Sequence, residues 1–180
     1  MISEDLGALI RGNFQHIPTK EQEYVIDLWC RFLLNRNDDC IFLLKGYAGT
    51  GKTTAVSAVI SVLKEYKVKS VLLAPTGRAA KVLSGYTSHR TSTIHKQIYR
   101  QKSLADKEAR FTLDFNKSRD TVYIVDEASL ISIGTGMERT IFGSGDLLED
   151  LFSYIRQNSG NKLILMGDSA QLPPIGLEES

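Results

Sequence analysis

The stretch Gly46-Tyr-Ala-Gly-Thr-Gly-Lys-Thr-Thr54 matches the pattern G-x-x-x-x-G-K-[ST] at every position and follows a short apolar run at residues 41–44. Its glycines allow a bend in which backbone N–H groups point inward, and the positive end of the following helix faces the same point. Such a loop binds the phosphates of a nucleoside triphosphate. The alternative is an ordinary glycine-rich turn between a strand and a helix. The apolar run before the loop and the helical spacing after it favour nucleotide binding.

Individual residues of this loop have their own predicted roles. Lys52 is expected to reach the β and γ phosphates, and the hydroxyl of Thr53 is expected to bind Mg²⁺. The sequence therefore predicts ATP and Mg²⁺ as cofactors. The remaining expected nucleotide ligands in the loop are Gly46, Ala48, Gly49, Thr50, Gly51 and Thr54.

Four short apolar runs alternate with helical segments along the chain, at residues 41–44, 70–74, 121–125 and 162–166. Strands separated by helices predict an α/β fold with a mainly parallel sheet and helices on both faces. Ligands of such sheets bind at the carboxyl ends of the strands. The residues that end the four strands are therefore expected to face one shared cleft.

Several shorter segments give weaker patterns. Thr19 and Gln22 form a capping box, which predicts a helix that continues to about residue 33. Residues 91–93 are expected to cap another helix, and the apolar alternation at 111–115 favours a small hairpin strand. Residues 1–13 carry little pattern and are expected to be loosely attached.

The composition is that of a globular protein with one domain: 180 residues, 42% of them apolar and 24% charged. No apolar run approaches the ~20 residues that span a bilayer, and the first residues lack the order of a signal peptide, so a cytoplasmic protein with no membrane partner is expected.

Residues 64–119 carry 13 basic and 4 acidic residues, whereas residues 120–180 carry 3 basic and 10 acidic. The basic segment is a candidate surface for a polyanion, and a solvated basic face without a ligand is the alternative.

Two acidic residues, Asp126 and Glu127, come directly after the strand predicted at 121–125. Asp126 is expected to hold Mg²⁺, directly or through water, and Glu127 is expected to be the general base for the attacking water. The alternative is an acidic pair that caps a helix.

Further along, Gln171 is suited to sense the γ-phosphate because an amide both donates and accepts hydrogen bonds. A turn stiffened by two prolines explains that segment equally well.

Taken in order, five blocks resemble the N-terminal motor motifs of superfamily-one helicases, and the RecD and Dda-like group in particular. They are the loop at 46–54, Ala74-Pro-Thr-Gly-Arg-Ala-Ala80, Thr93-Ile-His95, Val125-Asp-Glu-Ala-Ser129 and Gly167-Asp-x-x-Gln-Leu-Pro-Pro174. The resemblance covers about residues 14–176. It implies a RecA-like P-loop NTPase domain of the AAA type, the first motor domain of a DNA helicase. The parent enzyme would hydrolyse ATP to ADP and move 5′ to 3′ on single-stranded DNA.

The resemblance also implies which residues contact DNA. Thr76, Gly77 and Arg78 correspond to the segment that binds the backbone of single-stranded DNA, and their hydroxyl, amide and guanidinium groups are suitable phosphate donors. Thr93 and His95 resemble the next strand-contacting block. For His95 the alternative is a helix residue that is bonded to local backbone.

Two further segments take their roles from the resemblance. Gln22 corresponds to the glutamine that hydrogen-bonds the adenine base, although the capping box explains the same residue by itself, and both roles are compatible. Residues 101–116 occupy the position where the family inserts a small subdomain that helps to separate duplex strands. The insertion is very short here, so its role as a wedge is open.

The sequence departs from the family pattern at two places. The glycine-rich stretch at 132–145 is longer than the connection expected there, and its role is not explained. The chain ends with residues 177–180, so the second motor domain and its arginine finger are expected to lie on sequence beyond this chain. The chain alone is then expected to bind ATP but to hydrolyse it slowly, since arginine fingers supply much of the rate in related enzymes.

Two other functions remain open on the sequence. One is a nucleotide-dependent module that binds nucleic acid but does not translocate. The other is an ATPase or kinase that acts on small molecules. This second function would leave the blocks at 75–80 and 171–174 and the basic segment without a role.

Overall fold

The computed structural model describes residues 2–37, 41–101, 111–131 and 141–168. Five of its strands form one sheet and two form a hairpin. In chain order the strands are β1 (Ile41–Lys45), β2 (Lys69–Ala74), β3 (Thr91–Thr93), β4 (Tyr99–Gln101), β5 (Phe111–Leu113), β6 (Thr121–Val125) and β7 (Lys162–Gly167). The larger sheet has the order β1-β7-β6-β2-β3, and all of its neighbouring strands are parallel. The predicted α/β fold with a parallel sheet is therefore confirmed.

Helices cover both faces of this sheet. In chain order they are α1 (Ile2–Gly12), α2 (Lys20–Leu34), α3 (Lys52–Glu65), α4 (Gly77–Thr87), α5 (Ile94–Ile98) and α6 (Leu147–Arg156). Successive residues of a strand point to opposite faces. Ile124 of β6 accordingly lies in the apolar cluster with α1, α2 and α3, whereas Tyr123 and Val125 lie in the cluster with α5 and α6.

Side-chain caps define where two of the longer helices begin. At the start of α2, the N–H of Gln22 donates to the Thr19 hydroxyl (3.3 Å), and the N–H of Thr19 donates to Oε1 of Gln22 (3.0 Å). This confirms the predicted capping box. Asp146 caps α6 by accepting from the N–H groups of Leu148 and Glu149, both at 3.0 Å.

Strand β3 is a difference between prediction and structure. The sequence predicts only a helix cap at residues 91–93, and Thr93 does cap α5, since its hydroxyl accepts from the N–H of Lys96 at 3.2 Å. The same three residues also pair in parallel with β2, with Thr91 opposite Leu72 and Thr93 opposite Ala74. A strand of three hydroxyl residues has no apolar pattern, so only its pairing with β2 reveals it.

The hairpin predicted near residues 111–115 is confirmed, with β5 pairing antiparallel to β4. The N–H of Asp114 donates to the carbonyl of Ile98 at 2.7 Å, and this bond ties the end of the hairpin to α5. Of the short insertion at 101–116, residues 102–110 lie outside the described part of the chain.

The first residues form helix α1, in place of the loose attachment that their weak pattern suggested. Ile10 is fully buried in the cluster with α2 and α3. Arg11 donates to Glu23 at 2.6 Å and to Asp27 at 3.1 Å, and both carboxylates lie on α2. The contacts that hold α1 come from α2 and α3, which the local sequence of α1 does not encode.

Within the described residues, no helix combines the length and the apolarity needed to cross a membrane.

The burial of Ile10 predicts that α1 stabilises the domain. We expect Ile10→Ala to lower the free energy of unfolding by about 2–5 kcal/mol, since it removes buried methyl groups and leaves a cavity. Ile17, which is 91% exposed, provides the control, and Ile17→Ala is expected to change the same quantity by no more than about 0.5 kcal/mol. Urea denaturation followed by circular dichroism measures both values. Equal midpoints for the two variants would show that α1 is not part of the core.

Candidate functional site

The loop between β1 and α3 has the backbone that its glycines predict. Gly49 and Gly51 have φ values of 78° and 80°, in the left-handed region that favours glycine. Gly51 is the N-cap of α3 and brings no side-chain acceptor to the first turn. The N–H groups of that turn are therefore not bonded by a capping side chain, and they can bind an anion.

Lys52 spans the mouth of this loop. Its ammonium donates to the carbonyl of Gly46 at 2.5 Å and to the carbonyl of Tyr47 at 2.8 Å. Thr50 closes the same turn, since its hydroxyl also donates to the Tyr47 carbonyl, at 2.8 Å. The positive charge of Lys52 is thus held where the loop turns, next to the first N–H groups of α3.

An open cleft of about 380 Å³ joins this loop to the ends of β6 and β7. The predicted shared cleft is therefore confirmed in part: the phosphate loop after β1 and the ends of β6 and β7 line it, whereas Pro75 and Thr76 after β2 are not among its lining residues. Its lining residues are Ala48, Gly49, Gly51, Lys52, Thr53, Thr54, Tyr86, Asp126, Glu127, Gly167 and Asp168.

A larger cavity of about 460 Å³ lies at the opposite edge of the sheet. Its walls are mainly apolar side chains of α1, α2 and α3, such as Leu6, Leu33 and Leu63. It contains no phosphate-binding loop, and its charged residues are Asp5, Asp120 and Lys162. Convergent polar groups and bent glycine backbone occur in the smaller cleft, which is therefore the candidate site.

The two carboxylates continue directly from β6. The N–H of Asp126 donates to the Leu73 carbonyl of β2 at 3.0 Å, and the N–H of Glu127 donates to Oδ1 of Asp126 at 2.9 Å. Burial raises the pKa of Asp126, against the opposing effects of that N–H and of the Lys52 charge. Burial also raises the pKa of Glu127, the charge of Asp126 raises it further, and the charge of Arg78 lowers it.

Hydroxyl and carboxylate oxygens are suitable ligands for a small hard cation. The Thr53 hydroxyl and the Asp126 carboxylate line the same cleft, and Mg²⁺ prefers such ligands together with water and phosphate oxygens. The residues present therefore fit Mg²⁺.

Gln22 lies beside the phosphate loop as well as in the capping box. Its Oε1 accepts from Thr19, and its Nε2 donates to the carbonyl of Thr50 at 3.4 Å. A Cβ added to Gly51 would lie 2.5 Å from the same nitrogen. The capping role is therefore observed, and the position next to the loop is compatible with the predicted contact to the adenine base.

The residues expected to bind DNA follow neighbouring strands of the sheet. Thr76 caps α4, since its hydroxyl accepts from the N–H of Ala79 at 3.2 Å, and Gly77 and Arg78 begin that helix with exposed side-chain positions. Thr93 ends β3, which pairs with β2. The structure thus places both blocks at the carboxyl ends of adjacent strands, the edge that also holds the nucleotide cleft.

His95 differs from the exposed residues of the first block in its surroundings. It is half-buried, with ring centroids 5.6 Å from Tyr99 and 5.0 Å from Phe142, and burial lowers its pKa. Its environment is aromatic and not the local backbone bond considered as the alternative. Gln171 lies outside the described residues.

Tyr86 is a cleft residue that sequence reasoning missed. It belongs to the last turns of α4, is 72% exposed and lines the cleft with the loop and the carboxylates. An exposed aromatic residue in a helix has no local signal that would connect it with the phosphate loop. Only the packing of α4 beside α3 brings it there.

A profile of the AAA domain family matches residues 33–179, most of the chain. The chain belongs to the AAA domain family. This AAA domain is 29% identical over 138 residues to the ATP-dependent DNA helicase Pif1 of Psychrobacter, covering 74% of the chain and 20% of the relative. It is 30% identical over 142 residues to the ATP-dependent RecD2 DNA helicase of Deinococcus radiodurans, covering 75% of the chain and 16% of the relative. It is 30% identical over 174 residues to the ATP-dependent DNA helicase RRM3 of Saccharomyces cerevisiae, covering 91% of the chain and 21% of the relative.

A solved structure supports the fold assignment. The crystal structure of Pif1 helicase from Candida albicans superimposes with a TM-score of 0.55 at 23% identity, covering 89% of this chain and 34% of that one. The AAA domain spans only 16% to 21% of the length of the three sequence relatives. It is homologous to part of these helicases, and the predicted resemblance to the superfamily-one, RecD-like group is confirmed.

The two roles of Gln22 are separable by substitution. Gln22→Glu keeps an oxygen that accepts from Thr19 but removes the amide donor, and an amide is needed to pair with both N6 and N7 of adenine. We expect Gln22→Glu to keep the capping box, to lower the thermal midpoint less than Gln22→Ala does because it loses only the bond to Thr50, and to lose preference for ATP over GTP. The ratio of the two affinities is the readout, because the added charge repels both triphosphates equally. Gln22→Ala should reduce both the midpoint and the preference. Adenine preference retained in Gln22→Glu would leave Gln22 with its capping role alone.

Proposed function

We propose that this AAA domain is the first motor domain of an ATP-driven DNA helicase of the Pif1 and RecD-like group. Its cleft would bind ATP with Mg²⁺, and the adjacent ends of β2 and β3 would bind single-stranded DNA. One observation carries the proposal. Asp126 of the nucleotide cleft hydrogen-bonds Leu73 of β2, the strand that leads directly into the Thr76 block.

The nucleotide half of the proposal follows from the loop and the carboxylates. The N–H groups at the start of α3 and the Lys52 ammonium would bind the phosphates. Thr53 and Asp126 would hold Mg²⁺, which neutralises charge on the β and γ phosphates when bound. Glu127 would orient a water toward the γ-phosphorus and accept its proton. Burial supports this last role, since a raised pKa brings a carboxylate closer to the range of an effective base near neutral pH.

The site extends to residues that the cleft alone does not include. Gln171, which follows Asp168 in the sequence, is proposed to sense the γ-phosphate. Gln22 is proposed to contact the adenine base, because its amide lies beside Thr50 of the loop.

The DNA half of the proposal rests on donors at one edge of the sheet. Thr76, Gly77 and Arg78 would bind backbone phosphates, and Thr93 and His95 would contact the next part of the strand. The charge of Arg78 also acts on Glu127 and lowers its pKa. A DNA phosphate that draws Arg78 away would therefore raise the pKa of the proposed base, which connects the two ligand surfaces electrostatically.

The parent protein is proposed to contribute a second motor domain. The relatives are several times longer than this AAA domain, and a helicase of this group needs a second wall for the ATP site and for the DNA path. We propose movement in the 5′ to 3′ direction on intracellular DNA. A module that binds nucleic acid without translocation fits less well, because three homologues from different organisms are named as ATP-dependent DNA helicases.

Nucleotide binding predicts a ligand-dependent rise in thermal stability. At about 100 times its Kd, MgATP should stabilise the wild type by about 2.7 kcal/mol. Lys52→Ala should abolish this shift, because it removes the cation at the loop mouth. The control is Lys64→Ala, an exposed lysine in the last turn of the same helix, which should keep the shift. Differential scanning fluorimetry with and without MgATP compares the shifts, and an undiminished shift in Lys52→Ala would remove the nucleotide assignment.

DNA binding predicts a steep dependence of affinity on salt. Each phosphate contact of a single strand contributes about 0.7 to the slope of log K against log salt concentration, so Arg78→Ala should lower the slope by about that amount. The matched control is Arg31→Ala, an exposed arginine in the last turn of α2, which should keep the wild-type slope. Fluorescence anisotropy of a labelled oligothymidylate measures the slopes. Equal wild-type affinity at low and high salt would contradict a phosphate-binding surface.

A further inference from the structure

Four aromatic rings from four different segments form a cluster on the face of the sheet covered by α5 and α6. Phe142 is at its centre, with ring centroids 4.6 Å from Phe111, 5.0 Å from His95 and 5.4 Å from Tyr99. The Phe111 ring is stacked on it, and the His95 ring meets it edge-on. Such geometries are favourable for aromatic pairs. Phe142 is therefore the ring that connects the hairpin strand β5 with α5.

The backbone around Phe142 is bonded to the hairpin too. The N–H of Phe111 donates to the carbonyl of Ile141 at 2.8 Å, and the N–H of Gly143 donates to the carbonyl of Phe111 at 2.9 Å. Residues 141–146, here called the Phe142 turn, thus add a bridge to β5. The glycine-rich stretch had no predicted role, and its described end is now seen to fasten the short insertion.

A buried carboxylate anchors this turn to α6. Asp150 is 7% exposed and accepts from the Tyr99 hydroxyl at 2.6 Å and from the Ser144 N–H at 2.9 Å. Gly143 leaves the necessary space: a Cβ there would lie 1.9 Å from Oδ2 of Asp150, and its φ is +45°. The Phe142 turn is therefore held against α6 by a hydrogen bond as well as by packing.

His95 needs such support. It lies on α5, a helix of five residues that is too short to be stable by itself. Tyr99 and Phe142 contact its ring, and these contacts limit the orientations that the imidazole can adopt. A group held in its bound orientation before the ligand arrives loses less entropy on binding.

We infer that Phe142 is a positioning residue for the binding of single-stranded DNA. Its ring is fixed by the Phe142 turn and by Asp150, and it orients the imidazole of His95 toward the DNA strand that would be bound next to Thr93. The inference rests on the proposed function, because it needs His95 to contact DNA. It gives the described end of the glycine-rich stretch, residues 141–145, a role in binding and connects strand β5 to the DNA surface through one side chain.

A double-mutant cycle tests this inference on the whole chain. Phe142→Ala and His95→Ala should each weaken the binding of a labelled oligothymidylate about three- to tenfold, the range expected for the loss of aromatic contacts. The double variant should bind no more weakly than His95→Ala, since Phe142 acts through His95. The control is Phe152→Ala, a half-buried phenylalanine of α6, which should keep wild-type affinity. Phe142→Leu keeps apolar bulk and should fold, and it should weaken binding about two- to threefold.

Salt titration separates positioning from general loosening of the domain. Burial lowers the pKa of His95, which favours a neutral imidazole that can still donate a hydrogen bond to DNA but adds no positive charge to the salt slope. Phe142→Ala should therefore weaken binding without changing the salt slope, and MgATP should still raise its thermal midpoint. A lowered slope would mean that the basic contacts are disturbed, and the positioning role would be wrong.

The remaining outcomes distinguish the inference from the function on which it rests. If the double variant lost affinity by the product of the two single losses, Phe142 would act independently of His95 and the positioning role would be wrong. Wild-type affinity in both Phe142 variants would also overturn that role. Either result would leave the proposed DNA surface intact. Absence of binding by the wild type, or an unchanged affinity in His95→Ala, would remove the proposed role of His95 and the inference with it.

Discussion

Hydrogen bonds between parallel strands continue past the ends of the strands, and two of them hold the nucleotide cleft together. The N–H of Gly46 donates to the Gly167 carbonyl at 3.3 Å, and the N–H of Asp126 donates to the Leu73 carbonyl at 3.0 Å. The first bond ties the phosphate loop to the end of β7, and the second ties the proposed metal ligand to β2. Since all five strands of the sheet run in parallel, their carboxyl ends share one edge. That single constraint places the candidate nucleotide and DNA residues side by side.

Burial at this edge sets the electrostatics of the cleft. Asp126 and Glu127 follow β6, whose five residues are all buried, and both carboxylates have raised pKa values because water is partly excluded. Lys52 and Arg78 oppose these shifts from two directions, one from the phosphate loop and one from α4. A cation and phosphates in the cleft would change this balance, and so would a polyanion at Arg78. Arg78 is thus the residue through which a bound polyanion would act on the pKa of Glu127.

The face of the sheet that α5 and α6 cover has its own polar and aromatic connections. Asp150 is nearly buried, yet its carboxyl group accepts from a hydroxyl and a backbone N–H, as buried polar groups require. These bonds fix the turn that carries Phe142, which in turn packs against the hairpin and against His95. Segments that look unrelated in the sequence, strand β5 of the short insertion and the described end of the glycine-rich stretch at 141–145, are parts of one cluster.

Neighbouring residues encode the phosphate loop at 46–54, four of the five parallel strands, the capping box at Thr19 and the carboxylates after β6, so local patterns are sufficient to predict them. Other features depend on distant partners and become visible in the folded domain alone. Strand β3 exists through its pairing with β2, α1 through its burial against α2 and α3, and Tyr86 reaches the cleft through the packing of α4. The environment of His95 belongs to the same group, since its ring contacts Phe142 from a remote turn. Local patterns specify which residues can perform the chemistry, and long-range packing specifies which of them meet.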